Sequence, residues 1–173
     1  MDTLWSPWRS QYIQTFGTEQ EGKGCVFCEA LASSEDDARY LVRRHEHCFT
    51  MLNLYPYNSG HLLIIPKLHT SSFAELSVCA YTEMMELLRD WMRAMDQVMH
   101  PQGYNIGSNI GRVGGAGIDQ HVHVHIVPRW SGDANFMPVL ADTKVISESM
   151  EDSMHKLRKA FDALDSRFSD RDC

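Results

Sequence analysis

No stretch of the 173-residue chain reaches the run of about 18 apolar residues that a membrane-spanning helix needs. The opening Met1-Asp2-Thr3-Leu4-Trp5 lacks the basic and apolar regions of a secretion signal, so a cytoplasmic location is expected. Long runs of lysine or arginine are missing as well, and 16 basic against 23 acidic residues leave a formal net charge of −7. That balance argues against nucleic acid or an anionic membrane as partner, while a small anion can still bind where the local charge is positive. The five cysteines, Cys25, Cys28, Cys48, Cys79 and Cys173, form no regular framework. In a reducing compartment such an odd set reads as thiols or metal ligands before disulfides. No internal repeat is present.

The chain is long enough for one sizeable core and too short for two, so residues 1–173 are expected to form a single domain. Within it, 1–24 read as an arm with aromatic anchors, 25–168 as the body and 169–173 as a loose tail. Strand patterns occupy about 40–44, 47–53, 60–66, 104–111 and 120–128. From Ser77 to Met99 apolar residues recur at three- and four-residue steps, and again from Ser147 to Phe168, which predicts two amphipathic helices. Their methionine-rich stripes read as core or dimer contact before an adaptable binding surface. Five strands with helices that do not alternate throughout indicate an α+β fold on a mostly antiparallel sheet.

The densest chemistry lies in Gln120-His121-Val122-His123-Val124-His125-Ile126-Val127-Pro128-Arg129-Trp130. A strand has a side-chain period of two, so Val122, Val124 and Ile126 line one buried face while three imidazoles project from the other. Imidazole suits nucleophilic, acid-base and metal work near neutral pH. A second constellation is Cys25-Val26-Phe27-Cys28, whose spacer lets two thiolates meet one metal ion. A thioredoxin-like redox couple is the alternative, disfavoured because the pair does not open a helix in a βαβ pattern.

The His-x-His-x-His run followed by apolar residues resembles the signature of the histidine triad family of nucleotidyl hydrolases and transferases. Gly60-His61-Leu62-Leu63-Ile64-Ile65-Pro66-Lys67-Leu68-His69 is similar to the Gly-His-x-Leu-x-x-Pro-x-x-His run of its zinc-containing members. The resemblance implies that family's fold: a five-stranded, mostly antiparallel sheet with two main helices, in a homodimer whose sheets are joined. It implies a structural zinc held by Cys25, Cys28, His69 and His121. It makes His123 the nucleophile, with His125 and His61 as donors to the phosphate oxygens on which charge develops. Asn53 matches the position that binds the nucleotide ribose, and Asn109 one near the α-phosphate. The link Gly114-Gly115-Ala116-Gly117 can bring backbone N–H groups to the same phosphate, and Trp130 closes that side of the site.

Leu4-Trp5-Ser6-Pro7-Trp8-Arg9, the segment from Pro128 to Phe136 and Thr143-Lys144-Val145-Ile146 resemble the bacterial diadenosine tetraphosphate phosphorylase branch. The hydrolase and phosphoramidase branches carry Gln and then Ser or Thr where this chain has Gly117 and Ile118. The expected substrates are therefore adenine dinucleoside polyphosphates and inorganic phosphate. A dinucleotide hydrolase or nucleoside phosphoramidase is the alternative enzyme, and a nucleotide-sensing or scaffolding dimer the alternative of another class.

Overall fold

Leu62-Leu63-Ile64-Ile65 is apolar at every position, and a strand so composed demands cover on both faces. The protein meets that demand with a five-stranded antiparallel sheet enclosed between helices, seen here in a computed structural model that describes residues 24–133 and 146–164. The expected tail and all of the expected arm except Gly24 lie outside the described residues. In chain order the elements are α1 (Val26–Ala32), β1 (Leu41–Arg44), β2 (Cys48–Leu52), β3 (Leu62–Pro66), α2 (Val78–Val98), β4 (Gly103–Gly107), β5 (Val124–Arg129) and α3 (Met150–Asp162). The strands lie in the order β1-β2-β3-β5-β4, and all four pairings are antiparallel. The α+β reading is therefore correct, and the two long helices are present.

Each long helix starts where a serine caps it. The Ser77 hydroxyl accepts from the Ala80 N–H, and Ser149 does the same for Asp152. Met84, Leu87, Trp91, Ala94 and Met95 of α2 and Met154, Leu157 and Ala160 of α3 bury against Val42, Leu52, Leu62, Ile64, Val124 and Ile126. Trp91 is fully buried and its ring centroid lies 4.2 Å from that of Phe161, which ties α3 to α2. Burying side chains of this size contributes about 1.5–3 kcal/mol each. On the opposite face Leu41, Phe49, Met51, Leu63 and Ile65 receive Phe27 and Ala30 of α1. Among the described residues no helix is long and apolar enough to cross a membrane.

Two strand ends and one short helix depart from the sequence reading for local reasons, and α3 is shorter at Met150–Asp162 than the expected 147–168. The ladder of β5 begins at Val124, not at residue 120, because Val122 N–H donates to the Thr70 carbonyl and leaves the sheet. β4 ends at Gly107 instead of 111, where Ser108 turns its hydroxyl to the His123 carbonyl. Helix α1 was missed because seven residues carry too little periodicity. Cys48 is a buried free thiol, whereas Cys79 is disulfide-bonded, against the reading of both as plain thiols.

The core holds neutral imidazoles. Burial pushes His45 down from 6.5 to about 4. Burial and then neighbouring histidines push His61 to about 3 and His125 to about 4. Below about 6.5 the unfolded chain takes up protons on these groups while the folded chain does not, so stability rises with pH through that window. It is complete above 6.5 and is lost as pH falls towards 4. The urea midpoint should fall steadily from pH 7 to pH 5, and His45→Leu should flatten that slope. A midpoint independent of pH over this range would contradict the assignment.

Candidate active site and metal centre

β3 ends at Pro66, and the turn that follows carries His69 back beneath the start of β5. Cys25 is the N-cap of α1 and Cys28 lies in its first turn, so the pair does open a helix, though one that precedes the sheet and belongs to no βαβ unit. Cys25 Sγ lies 3.3 Å from His121 Nδ1, Cys28 Sγ 3.3 Å from His69 Nδ1 and 3.7 Å from His121 Nδ1. All four ligand atoms fall within 4.8 Å of one another. Tetrahedral zinc with Zn–S of about 2.3 Å and Zn–N of about 2.0 Å sets sulfur–nitrogen separations of about 3.5 Å, so the cluster fits such an ion. His121 Nε2–H donates to the Pro66 carbonyl at 2.9 Å, which leaves the Nδ1 lone pair facing the thiols. Without a cation, burial and the adjacent Cys25 push the Cys28 thiol up to about 11, a preference that a dication reverses.

The remaining histidines continue the row. They do not project into solvent: His123 is 5% exposed and His61 1%. Phe27, between the two cysteines, sets its ring 5.5 Å from His121 and 5.0 Å from His123, edge on. His123 Nδ1 lies 2.8 Å from the His121 carbonyl, which can only accept, so Nδ1 carries the hydrogen and Nε2 a free lone pair. Burial lowers the pKa of His123 and keeps it neutral.

The same reasoning runs through the next two rings. Tyr57 N–H donates to His61 Nδ1 at 3.0 Å, so the hydrogen of His61 is on Nε2. That N–H donates to His125 Nδ1 at 2.9 Å, so the hydrogen of His125 is also on Nε2. His125 Nε2 is buried and has no partner among the described residues. A buried donor left unpaired costs about 1–3 kcal/mol, and a ligand oxygen would satisfy it. The neighbour of His125 across the ladder is Gly107, where a Cβ would meet nothing within 4 Å among the described residues. His61 was expected to donate to phosphate directly; its donor is engaged by His125.

The residues expected around the nucleotide are less uniformly placed. Asn53, half-buried at the end of β2, accepts from Tyr55 N–H at 3.1 Å and sets its amide nitrogen 3.4 Å from His61 Nδ1. Asn109 is half-buried and follows Ser108, whose hydroxyl donates to the His123 carbonyl at 2.7 Å. The glycine-rich link is a turn closed on itself: Gly114 and Ala116 N–H donate to the Gly111 carbonyl, and Gly115 N–H to that of Arg112. Those three donors are therefore not free for a phosphate. A Cβ at Gly114 would stand 2.4 Å from the Ile110 carbonyl oxygen, and Gly115 has φ 86°, so tight closure explains both glycines. Gly117 is half-buried beside Ile118, which packs on the cluster around Phe27.

Trp130 was expected beside the phosphate. Its indole N–H instead donates to the carbonyls of Met99 and His100, at the end of α2. There it lines a cavity of about 600 Å³ with Asn58, Ser59, Asp133 and, from α3, Lys156. Sequence reasoning also missed Phe27, Ser108, Tyr57 N–H and the Pro66 carbonyl. The apolar spacer of the cysteine pair was a signal for Phe27. The two backbone groups leave no mark in a side-chain pattern.

A family model described as the HIT domain matches residues 34–132. An AP-4-A phosphorylase from Mycobacterium tuberculosis is 32% identical over 162 residues, covering 91% of this chain and 83% of that protein. An adenosine 5'-monophosphoramidase from Schizosaccharomyces pombe is 30% identical over 105 residues, covering 61% of this chain and 74% of its own. Among solved structures, a zinc-bound histidine triad family protein from Mycobacterium smegmatis superposes with a TM-score of 0.65 at 28% identity, over 83% of this chain and 96% of the other. With the row of histidines, the sheet that carries it and a family match over more than half its length, the chain belongs to the HIT domain family.

Proposed function

We propose that this protein is a nucleotidyltransferase that splits diadenosine tetraphosphate with inorganic phosphate, giving ATP and ADP. The observation that carries this reading is the pairing of a neutral His123, with its Nε2 lone pair free, beside an unpaired N–H on His125 Nε2. His123 Nε2 attacks an α-phosphorus, the bond to the bridging oxygen breaks, and ATP departs. An adenylyl group remains on His123. Phosphate oxygen then attacks the same phosphorus, ADP leaves and the imidazole is restored, so one difficult displacement becomes two easier ones. His125 donates to the oxygens on which charge develops, His61 orients His125, and Ser108 steadies the His123 backbone. Asn53 binds the ribose, while Asn109 and Gly117 belong to the walls that favour phosphate over water.

Cys25, Cys28, His69 and His121 hold a zinc ion that fixes α1 and the turn after β3 to the start of β5. His121 is then unable to protonate the leaving group, which a polyphosphate anion tolerates. Residues 1–173 act as one domain in the cytoplasm, where the cysteine pair stays reduced. A homodimer is supported by Val78, Tyr81 and Met85, exposed at three- and four-residue steps on α2, and by Ile106, exposed on the edge strand β4. The relative named as a monophosphoramidase favours hydrolysis of a nucleoside phosphoramidate as a second reading.

Four sets of measurements test these statements. Protein purified without added metal should contain about one zinc per chain, and Cys25→Ser should lower the unfolding temperature more than nucleotide affinity; active, fully folded protein free of metal would remove the zinc from the account. His123→Asn should abolish turnover and keep nucleotide binding, with an adenylylated His123 peptide recoverable only from the unsubstituted protein. Substituting His125 by Ala should cost about 10²–10³ in kcat, as removal of one stabilising donor does. Finally, diadenosine tetraphosphate should yield ADP in step with ATP, at a rate that rises with phosphate concentration. AMP in place of ADP, whatever the phosphate concentration, rejects phosphate as acceptor, and turnover of adenosine phosphoramidate alone supports the second reading.

A further inference from the structure

Two donors face His61 Nδ1, the Tyr57 N–H at 3.0 Å and the Asn53 amide nitrogen at 3.4 Å, and the shorter bond, from Tyr57, leads in setting the tautomers of His61 and His125. Both rings are neutral, and the hydrogen bond between them could run either way. With Tyr57 N–H at His61 Nδ1, both rings carry hydrogen on Nε2 and His125 presents a donor to the site. Without it, and with the Asn53 amide turned away, His61 can carry hydrogen on Nδ1 and accept at Nε2 from His125 Nδ1–H. His125 Nε2 then becomes a lone pair aimed at an anion. The two states hold the same number of protons and differ only in which end of the chain donates.

The turn that carries Tyr57 is exposed, with Leu54 at 54%, Tyr55 at 59% and Tyr57 at 48%, and packing holds it through the Tyr57 ring, 4.8 Å from that of His61 and stacked 6.1 Å from that of His125. Asn58 does more. It is buried, and its Nδ2 donates to the Pro128 carbonyl at 3.1 Å and to the Asp133 carboxylate at 2.8 Å. That carboxylate also accepts from Arg129 Nε at 2.6 Å, Arg129 Nη2 at 2.8 Å and Trp130 N–H at 3.1 Å. The next residue after Tyr57 is thereby fastened to the strand that carries His125.

We propose that Asn58, clamped by Asp133, is a positioning residue: it holds Tyr57 N–H on His61 and so selects the tautomer in which His125 donates to the phosphate. The functional part of this statement rests on the reading of His123 and His125 given above; the tautomer part does not. Asn58→Asp is nearly isosteric, removes both donated bonds and sets two carboxylates against each other. Asn58→Asp combined with Asp133→Asn restores one donor–acceptor pair in the reverse sense.

The test is ¹⁵N NMR of the imidazoles near neutral pH, run beside turnover of diadenosine tetraphosphate. The unsubstituted protein should show His61 and His125 both with hydrogen on Nε2. In Asn58→Asp a substantial Nδ1–H population should appear on both rings, with kcat down tenfold or more, zinc retained and KM changed by less. The double variant should recover most of the rate and the original tautomers. Hydrogen on Nδ1 of either ring in the unsubstituted protein overturns the proposal even if no variant folds. It also falls if Asn58→Asp leaves the tautomers unchanged, or changes them without changing the rate. Shifted tautomers in a protein that never turns over a dinucleotide would uphold the clamp and reject the reaction.

Discussion

His121 is held at three atoms, and the geometry of everything around it follows from that. Its Nδ1 faces the two thiols, its Nε2–H is bonded to the Pro66 carbonyl, and its own carbonyl accepts from His123 Nδ1. The first contact joins α1 to the sheet, the second fixes the ring on the end of β3, and the third decides which nitrogen of His123 is free. The next residue, Val122, gives its N–H to the Thr70 carbonyl, and β5 starts three residues after His121. Structural and chemical parts of the molecule thus meet in one residue, and a disturbance of the thiol cluster reaches His123 through the covalent frame of His121 and one hydrogen bond.

The period-two alternation of His121, His123 and His125 with Val122, Val124 and Ile126 was enough to place three imidazoles on one side of a strand, since side-chain direction there is a property of the backbone alone. The start of α2 was equally readable because Ser77 acts locally, within three residues of the donor it caps, whereas α3 starts at Met150 behind Ser149 and ends at Asp162, inside the span of 147–168 that its apolar spacing suggests. What alternation could not reveal is that the histidine side of the sheet is covered too. That cover comes from Phe27, some 95 positions away, and long-range packing is not encoded in any short window. The glycine link illustrates a different limit. Glycines that free the chain for a ligand and glycines that close a turn look identical in a sequence, and here Gly111 accepts the bonds that settle the matter for Gly114 and Ala116. Trp130 shows a third, since an aromatic after a strand can fall to either side, and the carbonyls at the end of α2 drew it away from the histidines.

Neutrality is the electrostatic theme of the site. Placing several imidazoles within about 5 Å of one another in an apolar setting disfavours charge on all of them, so each works as a donor or lone pair whose direction is set by its neighbour. Direction is then as much a design variable as basicity. An acceptor carbonyl beside His123 and a donor amide beside His61 impose opposite orders on rings of identical chemistry.

The amide that sets the order for His61 belongs to the main chain, and this changes how position 57 responds to substitution. Nineteen of the twenty side chains leave that N–H in place; proline alone lacks it. Truncating each residue in turn to alanine would report only on the tyrosine ring and would pass over the group that matters. Relatives should accordingly exclude proline at this position, a requirement separate from the one that the ring's contacts with His61 and His125 impose.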